Sequence, residues 1–321
     1  MYATLSNYIT FDEKEHFSEL NELIIQDERF SHFINKPTSS NSIKMYTLFS
    51  IDKMPHVSII MPIYNQEQII ANHINSIFKY TKGHAYELLL ILDSCSDASE
   101  EKVRTFLSTY NLEKTECVSV RMFVSKIPLF ETSCDNLGLY YARGSYAIEI
   151  QADMEMTESG YNMTLLKPFS HDDSIIGISG RCCHSFVTEE GIGKLGKLIE
   201  QPLSKEIRRD VYYIGETCNR GPLALDLNKV KELGYLDEVN FFLDNSEHDL
   251  FARAFYHKKY ICGYAPMEMK TSLENGSTRK TRDPLNQEIY NQKKNIESKQ
   301  NGFLFWYKKN HSPLPIRMVE Y

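Results

Sequence analysis

The shortages in this chain exclude more than its abundances do. No apolar run approaches the roughly 20 residues needed to cross a bilayer. Its first residues, Met1-Tyr2-Ala3-Thr4, begin no charged region followed by an apolar core. No transmembrane segment and no signal peptide are therefore expected, and the expected location is the cytoplasm. Paired cysteine spacing is missing as well. The seven cysteines (Cys95, Cys117, Cys134, Cys182, Cys183, Cys218 and Cys262) are odd in number and contain no C-x-x-C. That excludes a disulfide framework and reads as free thiols in a reducing compartment. Cys182-Cys183-His184 lacks the second cluster that a zinc site requires. Basic charge is in deficit: 36 Lys and Arg against 43 Asp and Glu give a formal charge of −7. Nucleic-acid binding needs a basic footprint, so nucleic acid is not an expected partner. An anionic substrate remains open, because local charge and a bound cation decide that.

What is present suits a soluble globular protein. The chain is 42% hydrophobic and 25% charged over 321 residues, enough for one large domain or two small ones. Asp12 to Phe33 carries Phe17, Leu20, Leu23, Ile24, Phe30 and Phe33 at helical spacing, and residues 1–55 are read as an N-terminal helical extension, with dimer formation one use for it. From Val57 the pattern becomes strand, helix, strand, helix. Gln66 to Lys79 and Ser99 to Tyr110 form helical stripes between apolar runs. Short strands alternating with helices of this length predict βαβ units and a mixed, mainly parallel sheet flanked by helices. Residues 56–275 are read as that domain. Residues 276–321 are read as a C-terminal tail, partly mobile: 276–302, rich in Lys, Asn and Gln, as its mobile or partly helical part, and Phe303-Leu304-Phe305-Trp306-Tyr307 as an anchor for docking back.

Three apolar runs end in polar or acidic residues. Val57-Ser58-Ile59-Ile60-Met61 leads into Pro62-Ile63-Tyr64-Asn65, and Leu88-Leu89-Leu90-Ile91-Leu92 into Asp93-Ser94-Cys95-Ser96-Asp97. Tyr146-Ala147-Ile148-Glu149-Ile150-Gln151 leads into Asp153-Met154-Glu155. Open α/β sheets bind ligands beyond the carboxyl ends of their strands, so the three ends predict one composite site.

Taken in order, these motifs resemble the inverting glycosyltransferases of family 2, which have the GT-A fold (a Rossmann-like α/β architecture) and use nucleotide-diphosphate sugars. The likeness covers roughly residues 56–270. It implies that Pro62 and Tyr64 cup the nucleotide base and that Asp93 accepts a base N–H. Leu92 replaces the first aspartate of the family's Asp-Asp-x-Ser signature, and Asp97 reads better as a helix N-terminal group. Asn136-Leu137-Gly138-Leu139-Tyr140-Tyr141-Ala142-Arg143-Gly144 resembles the segment whose arginine neutralises the donor's diphosphate, with a helix-end cation as the plainer role for Arg143. Asp153-Met154-Glu155 stands at the family's Asp-x-Asp motif, with Glu155 for the second aspartate. It implies a divalent cation, Mn²⁺ or Mg²⁺, held by Asp153 and Glu155 against the leaving diphosphate.

The segment Asp244-Asn245-Ser246-Glu247-His248-Asp249-Leu250-Phe251-Ala252-Arg253 resembles the family's Glu-Asp-x-Asp-Leu-x-x-Arg motif. Alignment on Asp249 and Arg253 puts Glu247 at the position of the general base, with Asp249 and Asp244 as rivals. Asn219-Arg220-Gly221-Pro222 falls where the family lines its acceptor pocket. The resemblance thus implies a metal-assisted, inverting transferase of glycan biosynthesis. It would move a sugar from a nucleotide sugar, expected to be UDP-linked, to a glycan or another hydroxyl acceptor. Two alternatives stand beside it: a degenerate transferase that binds nucleotide sugar or a partner without turnover, and a sugar-phosphate nucleotidyltransferase. The second would want a glycine-rich basic loop after the first strand, and Pro62-Ile63-Tyr64-Asn65-Gln66-Glu67 has neither glycine nor lysine.

Overall fold

The computed structural model describes residues 43–186, 194–196, 207–271 and 284–321. The described chain begins with strands β1 (Ile43–Ser50) and β2 (Val57–Ile63), helix α1 (Ile70–Tyr80), β3 (Tyr86–Asp93), α2 (Ser99–Thr109) and β4 (Cys117–Ser125). It continues through α3 (Phe130–Tyr141), β5 (Tyr146–Glu149), the short β6 (Met154–Met156), α4 (Tyr161–His171) and β7 (Ile175–Ser179). Five strands follow: β8 (Cys182–His184), β9 (Lys194–Gly196), β10 (Val211–Gly215), β11 (Thr217–Cys218) and β12 (Leu223–Asp226). The last elements are α5 (Leu227–Glu232), α6 (Ser246–Lys258), β13 (Ile261–Tyr264), β14 (Met269–Thr271), α7 (Pro284–Glu297), α8 (Phe303–Asn310) and β15 (Arg317–Glu320).

Ten of these strands form one mixed sheet, in the order β1-β4-β3-β2-β5-β12-β7-β13-β10-β15. Within it β4, β3, β2 and β5 run parallel, and their shared carboxyl edge is where the composite site was expected. Both faces of β2 are covered, which is why its sequence is apolar without alternation. Ile60 packs with Cys134, Leu137 and Tyr141 of α3 on one face. Ile59, Met61 and Ile63 pack with Ile70, Ile74 and Ile77 of α1 on the other. Helix α3 lies so close to β2 that a Cβ at Gly138 would stand 2.4 Å from Ile60 Cγ2. At Gly144 a Cβ would meet the His56 carbonyl oxygen at 2.9 Å. The glycines of the Asn136–Gly144 segment are thus explained by close approach of the helix and its exit to the strand.

The domain boundaries differ from the sequence expectation at both ends. The stripe from Asp12 to Phe33 lies outside the described residues. Ile43–Ser50, assigned above to a helical extension, is instead the edge strand β1, paired antiparallel with β4. Residues 284–321 lie on the fold, and the anchor expected at 303–307 docks as part of α8. Helix α8 packs on α6 through Leu304 and Tyr307, and β15 pairs antiparallel with β10. Few apolar residues mark β15, because an edge strand needs only one covered face. Among the described residues no helix is long and apolar enough to cross a membrane.

Candidate active site

The carboxyl ends of β2, β3 and β5 and the first turn of α3 enclose a pocket. Pro62 and Tyr64 line it from β2, Asp93 from β3, Phe130 and Glu131 from α3, and Gln151 and Asp153 from the chain after β5. Its shape is set by short polar ties. Asp93 is buried, and its two carboxylate oxygens accept the backbone N–H groups of Leu129 at 2.6 Å and Phe130 at 3.0 Å. A carboxylate so placed satisfies donors at the start of α3 and favours the helix dipole. Phe130 itself has φ of 63°, a conformation a bulky side chain adopts only when its surroundings impose it. On the far wall His73 Nδ1 lies 2.6 Å from the Ala152 carbonyl oxygen and anchors the loop that carries Asp153. Asp97 plays the structural part expected of it: its oxygens accept N–H groups from Ser99 at 2.9 Å and Glu67 at 3.0 Å.

Behind the pocket lies a cluster that sequence reasoning did not assemble. Arg220 is 4% exposed and has four carboxylates around it. Nη1 stands 3.4 Å from both Glu131 and Asp135, and Nε stands 3.4 Å from Glu247 Oε2 and 3.6 Å from Glu149. One guanidinium cannot offset four buried anions, so the cluster retains protons. Burial, opposed by Arg220, pushes the Glu131 carboxyl up to about 7. Burial and the neighbouring Glu149 hold Asp135 well above the usual carboxylate range. The sequence signals were faint but present: a glutamate inside the buried run 146–151, and Glu131 and Asp135 one turn apart on α3.

Glu247 and Asp249 share the first turn of α6 and have different surroundings. Burial disfavours the Glu247 carboxylate, yet His248 in the acid range where its imidazole is charged, together with Arg220 and backbone N–H groups, outweighs it and holds the carboxyl below its usual range. Its neighbour His248 is driven by burial down to about 4, so the imidazole is neutral at physiological pH; its Nδ1 lies 2.6 Å from Thr217 Oγ1. Asp249 is fully buried and committed elsewhere: Oδ2 accepts Arg253 Nε at 2.7 Å and Oδ1 accepts the Leu304 backbone N–H at 2.9 Å. Asp244 is exposed.

The structure brings Pro62, Tyr64, Asp93 and Asp153 to one pocket, with Glu247 one guanidinium behind it. It does not bring Arg143 or Glu155 there. Arg143 Nε donates to Glu87 Oε2 at 2.9 Å and its backbone N–H to Oε1 at 2.7 Å, while Arg121 Nη2 reaches the same carboxylate at 2.7 Å. Glu87 is at the amino end of β3, about 20 Å from Asp93 at the rise of an extended strand. Glu155 stands opposite Lys270 in the β6–β14 pair and acts electrostatically on Lys79 of α1. Both departures have the same cause: sequence order fixes neither which face of β6 nor which end of the sheet a side chain meets.

The donor set suits a hard divalent cation. Glu131, Asp135 and Glu149 each place a carboxylate oxygen within 4.8 Å of the others, and Asp153 lines the pocket beside Glu131. Arg220 already supplies positive charge to the first three, so the pocket side, Asp153 with Glu131, is the better place for an added ion.

Residues 58–189 match the family model described as Glycosyl transferase family 2. No curated protein matches the chain. Among solved structures, GalNAc-T7 with UDP, GalNAc and Mn²⁺ is similar at 14% identity with a TM-score of 0.54, over 81% of this chain and 57% of that one. The mannosyltransferase PcManGT from Pyrobaculum calidifontis, in complex with GDP-Man and Mn²⁺, gives 12% and 0.49 over 74% and 61%. S. aureus TarS 1–349 in complex with UDP-GlcNAc gives 12% and 0.47 over 78% and 69%. This chain thus spans 57% and 61% of the first two proteins named. At such identities the likeness to GalNAc-T7 establishes the fold, a GT-A-type mixed sheet.

Proposed function

We propose that this chain, which matches the Glycosyl transferase family 2 model over residues 58–189, transfers a sugar from a nucleotide-diphosphate sugar, UDP-linked, to an acceptor hydroxyl with inversion. The observation that carries the reading is the convergence of Tyr64, Asp93, Glu131 and Asp153 on one pocket, with the buried Glu247 carboxylate close behind it. Tyr64 and Pro62 take the base. Asp93, fixed at the strand end by the α3 backbone N–H groups that its oxygens accept, takes a base N–H. Asp153 and Glu131 hold the divalent cation, Mn²⁺ or Mg²⁺, which as a Lewis acid stabilises charge on the departing diphosphate.

Glu247 is the general base. It is held ionised at neutral pH, whereas Asp249 is tied to Arg253 and Leu304 and Asp244 is exposed. It takes the proton of the acceptor hydroxyl as that oxygen bonds to the anomeric carbon and the bond to the diphosphate breaks on the opposite face. General-base assistance contributes about 10²–10⁴ in rate. The test is Glu247→Gln, followed by donor titration and by transfer assay. Wild-type donor affinity with transfer reduced by about 10² or more supports the assignment; unchanged transfer refutes it.

A further inference from the structure

Arg220 stands between the pocket and Glu247, and its contacts divide into two kinds. Its close hydrogen bonds go to the turn that carries Glu247: Nη1 donates to the Leu243 carbonyl at 3.1 Å and Nη2 to Ser246 Oγ, with Thr132 Oγ1 at 3.3 Å. All four carboxylates stand further off, at 3.4 to 3.6 Å. A guanidinium serving only to neutralise buried acids would turn its fork on a carboxylate, the strongest pairing open to it. Here the fork is registered to the backbone and hydroxyl flanking Glu247. Arg220 Nε and Glu247 Oε2 face each other, both buried and neither with a hydrogen-bond partner. Catalytic contacts of this kind are often long before substrate binds and tighten afterwards. On its other edge the same guanidinium touches Glu131, which lines the donor pocket.

We propose that Arg220 is a positioning residue for the transfer step, fixing the Glu247 carboxylate in register with the donor pocket through the single guanidinium that touches both. The proposal rests on the reading of Glu247 as the base. Besides Arg220, the groups that face Glu247 are His248 and Glu131, with Cys218 beside it and His184 and Lys308 beyond His248. Asp135 and Glu149 share the same guanidinium, so the titration is read as a shift between wild type and variant.

Two variants test this. Arg220→Lys keeps the charge and loses the fork; Ser246→Ala keeps Arg220 and removes one of its anchors. The readouts are kcat and donor KM across pH, and the titration of the Glu247 carboxyl by ¹³C NMR, assigned by difference with Glu247→Gln. In Arg220→Lys the Glu247 titration and the acid limb of kcat are expected to move up together by about one pH unit, because the ammonium keeps the charge but not the guanidinium edge that faces the Glu247 carboxylate. In Ser246→Ala kcat is expected to fall about tenfold with donor KM within about threefold. A purely structural Arg220 would move neither the titration nor the ratio of kcat to KM in folded protein, and that result overturns the proposal. If Arg220→Lys does not fold, the kcat-against-KM split in Ser246→Ala decides. If wild type turns over no nucleotide sugar, the assigned function fails by itself, and the NMR titration still decides whether Arg220 governs Glu247.

Discussion

Asp249 and Arg253 form a buried ion pair one helical turn apart, with Nε 2.7 Å from Oδ2. The guanidinium continues to the carbonyl oxygens of Leu233 and Tyr235 at 2.6 and 2.7 Å, so the pair joins α6 to the loop after α5. Removing one partner of such a pair leaves a buried charge uncompensated. Asp249→Ala is expected to lower stability by about 3–5 kcal/mol in chemical denaturation. Donor affinity per folded molecule should be unchanged, whereas Glu247→Gln should keep both stability and donor affinity near wild type and lose transfer.

Arg143 is expected to be dispensable for the donor. Its side chain is 40% exposed, and Arg121 also holds Glu87. Arg143→Ala should cost about 1 kcal/mol or less, with donor KM unchanged within error in steady-state assays. A large rise in KM would instead return Arg143 to the diphosphate.

The two acids of Asp153-Met154-Glu155 should separate cleanly. Asp153→Asn is expected to abolish Mn²⁺-dependent stabilisation by nucleotide sugar in a thermal-shift assay. Glu155→Gln should retain it, because Glu155 stands opposite Lys270.

His248 should make the protein acid-sensitive. Its imidazole titrates near 4 in the folded protein against 6.5 for the ordinary group, so the unfolded chain binds more protons between those values. Stability is complete above pH 6.5 and is lost as pH falls toward 4, by about 3 kcal/mol from this group. His248→Gln should flatten that loss when unfolding is measured by urea titration from pH 7 to 4.

The parallel half of the sheet was legible because β2, β3 and β5 are buried on both faces and read as continuous apolar runs. The same runs located the pocket, since ligand sites lie beyond strand carboxyl ends. The edge strands β1 and β15 were not read from the sequence: β15 is only four residues long, β1 lay in a region read as helical, and each is defined by its partner, β10 and β4 respectively. The cluster around Arg220 escaped because its members come from α3, β5, the turn before β12 and α6. Nothing in the spacing of residues 131, 149, 220 and 247 announces that they meet. Arg143 illustrates the opposite hazard, a motif residue whose position in the sequence suggested chemistry and whose place in the fold is the far end of β3.

The most direct measurement is a titration of the chain with a panel of nucleotide sugars, with and without Mn²⁺, followed by detection of released nucleoside diphosphate. The account predicts metal-dependent binding of one UDP-linked sugar, weakened by substitution of Tyr64 or Asp153, and slow release of UDP that an acceptor accelerates. Absence of binding to every nucleotide sugar in the presence of metal would contradict it.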